Sequence, residues 1–113
     1  GLEDKFCIER KADTGEFAMN IVQARFDREL ERMECFQHPF SILEFTVQDM
    51  MMFPKGSGIP EYKWKDLKIT PQFMIKRFLE YQLKYKTKII TAGKHYGQQV
   101  ANNIFRRVID EYK

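Results

Sequence analysis

The chain has 113 residues, a net charge of +3, ordinary apolar content and abundant charged residues. That length suits one domain and lets folding remove roughly two thirds of the unfolded chain's surface from water. No apolar run reaches the ~18 residues of a transmembrane helix, and Gly1-Leu2-Glu3-Asp4 has no signal-peptide pattern. The expectation is therefore no membrane partner and an intracellular, cytoplasmic location, or nuclear if the source is eukaryotic. Without an initiating Met, the chain reads as a fragment or a processed product. Cys7 and Cys35 form no CxxC pair and have no His at zinc-ligand spacing, which argues against a zinc site. Cys7 reads as a buried core thiol.

Lys5-Phe6-Cys7-Ile8 is a short strand that runs into Glu9-Arg10-Lys11. Asp13 and Glu16 fit a capping box, and the spacing predicts one helix from there to about Met33. Its apolar face is Phe17, Ile21, Phe26, Leu30 and Met33, and Arg25, Asp27, Arg28, Glu31 and Arg32 lie opposite. Phe40 to Phe45 reads as a buried strand interrupted by Glu44. The span 47–69 is the least regular. It holds an apolar Met50-Met51-Met52-Phe53 stretch, a Gly- and Pro-rich loop over 54–60, and the basic segment Lys63-Trp64-Lys65-Asp66-Leu67-Lys68. Thr70-Pro71 is a strong helix start, with Met74, Ile75, Phe78, Leu79 and Leu83 as the apolar stripe. Thr87 to Thr91 is a strand that Gly93 ends. The last helix spans about Tyr96 to Glu111, with Val100, Ile104 and Val108 on one face. This alternation predicts an α/β fold with a partly parallel sheet.

Glu9-Arg10-Lys11 carries the most chemistry. Strand alternation places residues 9 and 11 on one face and Arg10 on the other. A carboxylate beside an ammonium suits phosphodiester hydrolysis: the carboxylate holds a hard divalent cation, and the lysine stabilises the charge that builds on the attacking water and the phosphate. Arg10 would contact phosphate or brace a helix. An E-x-K tripeptide also arises by chance, and Asp13 and Glu16 are explained as a cap alone. Glu44 adds weight, because a carboxylate in a buried apolar strand needs a partner or a metal. Either it shares a site with Glu9, balanced by Arg25, or it pairs with Arg25 or Arg32.

At these residues the chain resembles the XPF-type structure-specific nucleases of the PD-(D/E)XK fold group. Ile8-Glu9-Arg10-Lys11 resembles their E-R-K signature. Glu16-Phe17 stands where the family has Asp and a large apolar residue, after a gap one residue longer. Ile21 to Phe26 is similar to the I-x-D-G-R-F segment, with Ala24 at the usual Gly. Glu29 and Arg32 resemble the polar pair that follows, and Ile42-Leu43-Glu44 the apolar strand ending in V-E. Pro71 to Tyr85, Lys88 to Ala92, and Gly93 with the last helix resemble the remaining elements. Stand-alone bacterial and phage members look closest.

The resemblance implies a three-layer restriction-endonuclease-like core, a central mixed sheet flanked by helices, with residues 1–113 as one nuclease domain. It implies Mg²⁺ or Mn²⁺ held by Glu9, Glu16 and Glu44, with Glu9, Lys11, Arg10 and Arg25 as catalytic residues. Arg10, Arg25, Lys84, Lys88 and Lys94 would contact DNA. The implied substrate is branched, flap or fork DNA in replication, recombination or repair, and a homodimer would use the apolar face of the last two helices. The family's upstream G-D pair supplies a further metal-binding Asp, expected N-terminal to Gly1, for which Asp4 is a poor substitute. The helix-hairpin-helix domain that serves dimerisation and substrate choice in eukaryotic and archaeal members is not expected here. A non-catalytic DNA-binding or scaffolding member of the same fold, or a protein-interaction module, are the alternatives. The Trp64 loop would stack on an unpaired base or, with more weight, serve as a core or lid anchor.

Overall fold

A computed structural model describes residues 5–112 of the chain. Three strands, β1 (Phe6–Lys11), β2 (His38–Leu43) and β3 (Lys88–Thr91), form one sheet in the order β1-β2-β3. Both pairings are parallel, so the described sheet is parallel throughout rather than mixed. The register aligns Lys11, Leu43 and Thr91 at the carboxyl edge. Five α-helices, α1 (Thr14–Val22), α2 (Arg25–Met33), α3 (Val47–Met51), α4 (Pro71–Lys84) and α5 (Gly97–Glu111), and a 3₁₀ helix over Glu61–Asp66 complete the described elements. None is long and apolar enough to cross a membrane.

The strands obey the two-residue period. Cys7, Glu9 and Lys11 face α1 and α2, as the contact of Lys11 with Phe26 and Glu29 shows. Phe6 and Arg10 face α5, meeting Phe105 and Gln98. Helices therefore lie on both faces of the sheet. β2 begins two residues earlier than its apolar run suggests and includes Pro39. His38 N–H donates to Lys5, so the backbone of Pro39 turns toward the β3 side, where pairing starts only at Phe40. The proline thus removes no ladder hydrogen bond.

The single helix expected from 13 to 33 is two. Ala24 lies between α1 and α2 in the left-handed region, at φ 54° and ψ 20°. The apolar spacing explains the break. Ile21 to Phe26 is a step of five, which in a continuous helix would swing Phe26 roughly 140° off the face of Ile21. The break lets both faces point inward: Phe17, Ile21, Phe26, Leu30 and Met33 all lie in the core. Phe17 and Phe26 meet edge to face with centroids 5.3 Å apart, and Phe26 meets Tyr81 of α4 in the same way at 5.0 Å.

The buried face of α4 also differs from the aliphatic pattern. Met74, Tyr81 and Tyr85 are buried and Phe78 is partly so, whereas Leu79 and Leu83 point outward, Leu83 at 89% exposure. Polar partners on α2 fix this choice. Arg77 pairs with Asp27 at 2.9 Å, and the Tyr85 hydroxyl donates to Asp27 at 3.2 Å. Asp27 is therefore part of the α2–α4 interface rather than of a solvated helix face. Both helix starts read from sequence are capped as expected. Asp13 accepts from the Glu16 N–H at 2.8 Å, and Thr70 accepts from the Phe73 N–H at 3.1 Å.

Candidate functional site

The site forms where β1 passes beneath α2. Lys11 is 4% exposed, and its ammonium lies between two carboxylates. Nζ is 2.7 Å from Glu9 Oε1 and 2.9 Å from Glu29 Oε2, with a hydrogen bond to Glu29 Oε1 at 3.2 Å. Two local rules make this meeting. Strand alternation puts Glu9 beside Lys11, and the helical period puts Glu29 three residues beyond Phe26 and four before Met33, on the sheet-facing side of α2. Ser41, fully buried in the central strand opposite Glu9 in the register, donates its hydroxyl to Glu9 Oε2 at 3.1 Å. Arg25, exposed at the start of α2, brings Nε to 3.6 Å from Glu29 Oε1. Beside this cluster opens a cavity of about 430 Å³ lined by Cys7, Glu9, Glu29 and Arg32, among others.

The electrostatics fix the protonation of Lys11. Burial works against its charge, but the hydrogen bonds it donates to Glu9 and Glu29, and the charges of those groups, outweigh burial and hold its pKa above the ordinary lysine value. Lys11 is thus a permanent cation at neutral pH, suited to stabilising negative charge and unsuited to acting as a base. The Glu9 carboxyl is pushed up, first by burial and further by the charge of Glu29, against the lowering effects of Lys11 and Ser41. Burial, followed by the charge of Glu9, likewise raises the Cys7 thiol. Cys7 is half-buried at the cavity wall, packed against the core rather than fully inside it, and Cys35 is exposed.

The structure brings Glu9, Lys11 and Arg25 together and leaves the other expected site residues elsewhere. Arg10 projects from the opposite face of β1. It holds Glu44 Oε1 at 2.6 Å and donates to Gln98 of α5 at 2.8 Å. Glu44 therefore neither joins Glu9 nor pairs with Arg25 or Arg32. It lies just beyond β2, its N–H donating to the Lys11 carbonyl at 2.8 Å, and its carboxylate sits against the first turn of α5. A Cβ at Gly97 would come within 2.5 Å of Glu44 Oε1, so glycine there admits the carboxylate to the positive end of the helix dipole. Glu16 serves the cap, accepting from the Ala12 N–H at 2.9 Å. Glu16 and Glu44 are thus engaged away from Glu9, and among the described residues no group of three or more His, Cys, Asp or Glu side chains is placed to hold a metal. Asp4 lies outside the described residues.

The expected DNA-contacting lysines are spread apart. Lys84 ends α4, with Nζ over the Tyr85 ring. Lys88 starts β3 at the amino edge of the sheet, over Phe40. Lys94 follows β3 at the carboxyl edge, lining a cavity with Asp13 and Glu44. Two members of the cluster escape a reading based on the E-R-K tripeptide. Glu29 carries a signal, because it falls inside the buried stripe of α2 between Phe26 and Met33. Ser41 carries none until the register of β1 against β2 is known.

Two carboxylates and a hydroxyl are hard oxygen donors of the kind Mg²⁺ accepts, and Mg²⁺ is commonly held by one or two carboxylates with water and substrate phosphate completing its shell. Glu9 and Glu29 supply two such carboxylates, both also paired with Lys11, and Glu16 and Glu44 lie elsewhere. Comparison with known proteins finds no family model, no curated protein and no solved structure that matches this chain.

Proposed function

We propose that the chain is the nuclease domain of a metal-dependent DNA endonuclease of the XPF type, with the PD-(D/E)XK fold, acting on branched, flap or fork DNA. The observation that carries this reading is the nearly buried Lys11 ammonium between Glu9, two residues before it on β1, and Glu29 of α2. The parallel sheet adds support, because its carboxyl edge, where Lys11 lies, is where open α/β sheets bind ligands.

In this reading Glu9 and Glu29 hold Mg²⁺ or Mn²⁺. The bound ion supplies a polarised phosphate and a water of lowered pKa. Lys11 stays charged throughout and meets the negative charge that develops on phosphate oxygen. Ser41 fixes the rotamer of Glu9 by its hydrogen bond. Arg25 and Arg32, at the mouth of the site, hold the DNA backbone by charge and confer no sequence preference. Arg10 braces β1 to α5 through Gln98 and Glu44 rather than touching substrate. A second copy would seat on the apolar groove between α5 and the sheet, lined by Phe40, Val100, Ile104 and Val108. The location would be intracellular.

The test is incubation of the protein with labelled flap, fork and single-stranded DNA in Mg²⁺ or Mn²⁺, beside Lys11→Ala. Metal-dependent cutting that Lys11→Ala abolishes supports the reading. DNA binding without cutting favours a second one, a non-catalytic DNA-binding member of the same fold. The observation behind that alternative is the engagement of Glu16 and Glu44 elsewhere, which leaves two carboxylates at the site.

A further inference from the structure

The segment between α3 and α4 is tied down by local hydrogen bonds. Its 3₁₀ turn, Glu61–Asp66, is closed by Lys63 N–H to Pro60 O at 3.0 Å and Leu67 N–H to Trp64 O at 3.1 Å. Trp64 turns inward and donates Nε1–H to Ile59 O at 2.9 Å, so it anchors the loop and is not its free aromatic surface. The Ser57 hydroxyl, buried, accepts from Ile59 N–H. Gly15 of α1 lies so close to the Ser57 carbonyl that it has no room for a Cβ. The loop is thus tied to itself and to α1.

On this segment Tyr62 is 72% exposed. One face of its ring has the Lys63 ammonium 5.7 Å from the centroid. Beside it lies a cavity of about 810 Å³ lined by the apolar Met19, Ile59 and Leu67 and by Lys63, Lys65 and Asp66, within the roughly 300–1,000 Å³ range of small-ligand clefts. Lys63 and Lys65 are exposed, and among the described residues neither pairs with a carboxylate. An exposed aromatic ring, an apolar recess and two ammonium groups without carboxylate partners are the parts that single-stranded nucleic acid uses: bases stack on the ring and phosphates meet the cations. Duplex DNA offers no unstacked base to such a ring.

We propose that this loop binds single-stranded DNA, with one base stacked on Tyr62 over the recess and the adjoining phosphates on Lys63 and Lys65. The choice of DNA rests on the nuclease reading above; the stacking site itself rests on the loop. The experiment is fluorescence anisotropy in EDTA, where no cutting occurs, with labelled oligothymidylate, a duplex of the same length, and heparin as a polyanion without bases. The expected results are tighter binding of oligothymidylate than of duplex, and about tenfold weaker oligothymidylate binding by Tyr62→Ala. Tyr62→Phe should bind as the unaltered protein does, and Tyr62→Ala should leave duplex binding unchanged. The Lys63→Ala, Lys65→Ala double variant should lower the slope of log affinity against log salt by about 1.4. Circular dichroism verifies that each variant is folded. Unchanged oligothymidylate binding by Tyr62→Ala, no binding by the unaltered protein, or heparin binding as tight as oligothymidylate binding would overturn the proposal. Tyr62-dependent binding with no cutting in Mg²⁺ would remove the nuclease reading and leave this site standing.

Discussion

On one side of β1 the Lys11 ammonium is held between Glu9 and Glu29; one residue earlier, on the other side, Arg10 reaches Glu44 at the edge of the sheet. The two closest contacts are nearly equal, 2.7 Å and 2.6 Å. Their surroundings are not. The Lys11 side chain is 6% exposed and that of Arg10 38%. Attraction between charges grows as water is excluded, and so does the penalty for leaving one charge alone. Separation therefore says little about which pair matters. The buried side concentrates field where a phosphate could use it, while the exposed side ties elements together at low energy.

The largest expected effect breaks the buried side. On the proposed nuclease reading, Lys11→Ala should lower cutting about 10²–10³-fold, the usual loss for one preorganised stabiliser of developing charge. It should also lower stability by about 3–5 kcal/mol at neutral pH, because two carboxylates are left facing each other. Urea unfolding measures this, and its pH dependence has a definite sign. Without Lys11 the Glu9 carboxyl keeps only the Ser41 hydrogen bond to lower its pKa, which rises further above 4.5 in the folded chain. A folded-state pKa above the unfolded one means that stability falls as pH climbs through that interval. The gap between Lys11→Ala and the unaltered protein should therefore narrow as pH is lowered from neutral toward 4.5. A gap that stays constant would mean that Glu9 is not forced to ionise beside Glu29.

The same rule gives the alkaline limb of the unaltered protein. Tyr81, buried, and Tyr85 both have pKa values raised by burial first, and Lys11 is raised by its carboxylate partners despite burial. In each case the unfolded chain releases its proton at a lower pH than the folded one. Stability should decline from the ordinary tyrosine value of 10.0 upward, with a weaker decline in Tyr85→Phe.

Glu29→Gln sharpens the comparison. It keeps the shape but removes a charge from the buried side, and should reduce cutting about 10²-fold. Ala24→Gly should act on stability alone, raising it by about 0.5–1 kcal/mol. A left-handed non-glycine residue costs about 1–2 kcal/mol, and glycine's greater unfolded-state freedom offsets part of the relief. Ala24 is exposed, so no packing is lost. Glu44→Gln should have the smallest effect, within about 1 kcal/mol in unfolding and within a few-fold in cutting. A Glu44→Gln loss equal to that of Glu29→Gln would erase the distinction between the two sides.

Local chemistry was legible in the sequence. The Asp13 and Thr70 caps, the strand ending in Glu9-Arg10-Lys11 and the strand over 88–91 depend on residues near in the chain, and they stand where the spacing puts them. The pairing of Glu9 with Lys11 is also local, a consequence of alternation. What depends on two elements meeting was not legible. Glu44 has Arg10 as its partner because β1 and β2 are aligned in one particular register. Asp27 turned out to belong to an interface because Arg77 lies fifty residues away in the chain. The face of α4 followed that contact, so two tyrosines displaced two leucines from the interior. The break at Ala24 had a visible trace, the five-residue step from Ile21 to Phe26, which an otherwise regular amphipathic pattern masked.

That break has a mechanical consequence. In an unbroken helix each residue added or removed turns everything beyond it by about 100°, so a change of register in the first turns would rotate Glu29 away from Lys11. The left-handed joint at Ala24 works as a clutch between α1, which rests on the 57–59 loop, and α2, which carries the carboxylate. Phe17, Ala18 and Ile21 still hold the first helix to the core, and the joint lets the second helix aim Glu29 at Lys11 without sharing the first helix's rotation.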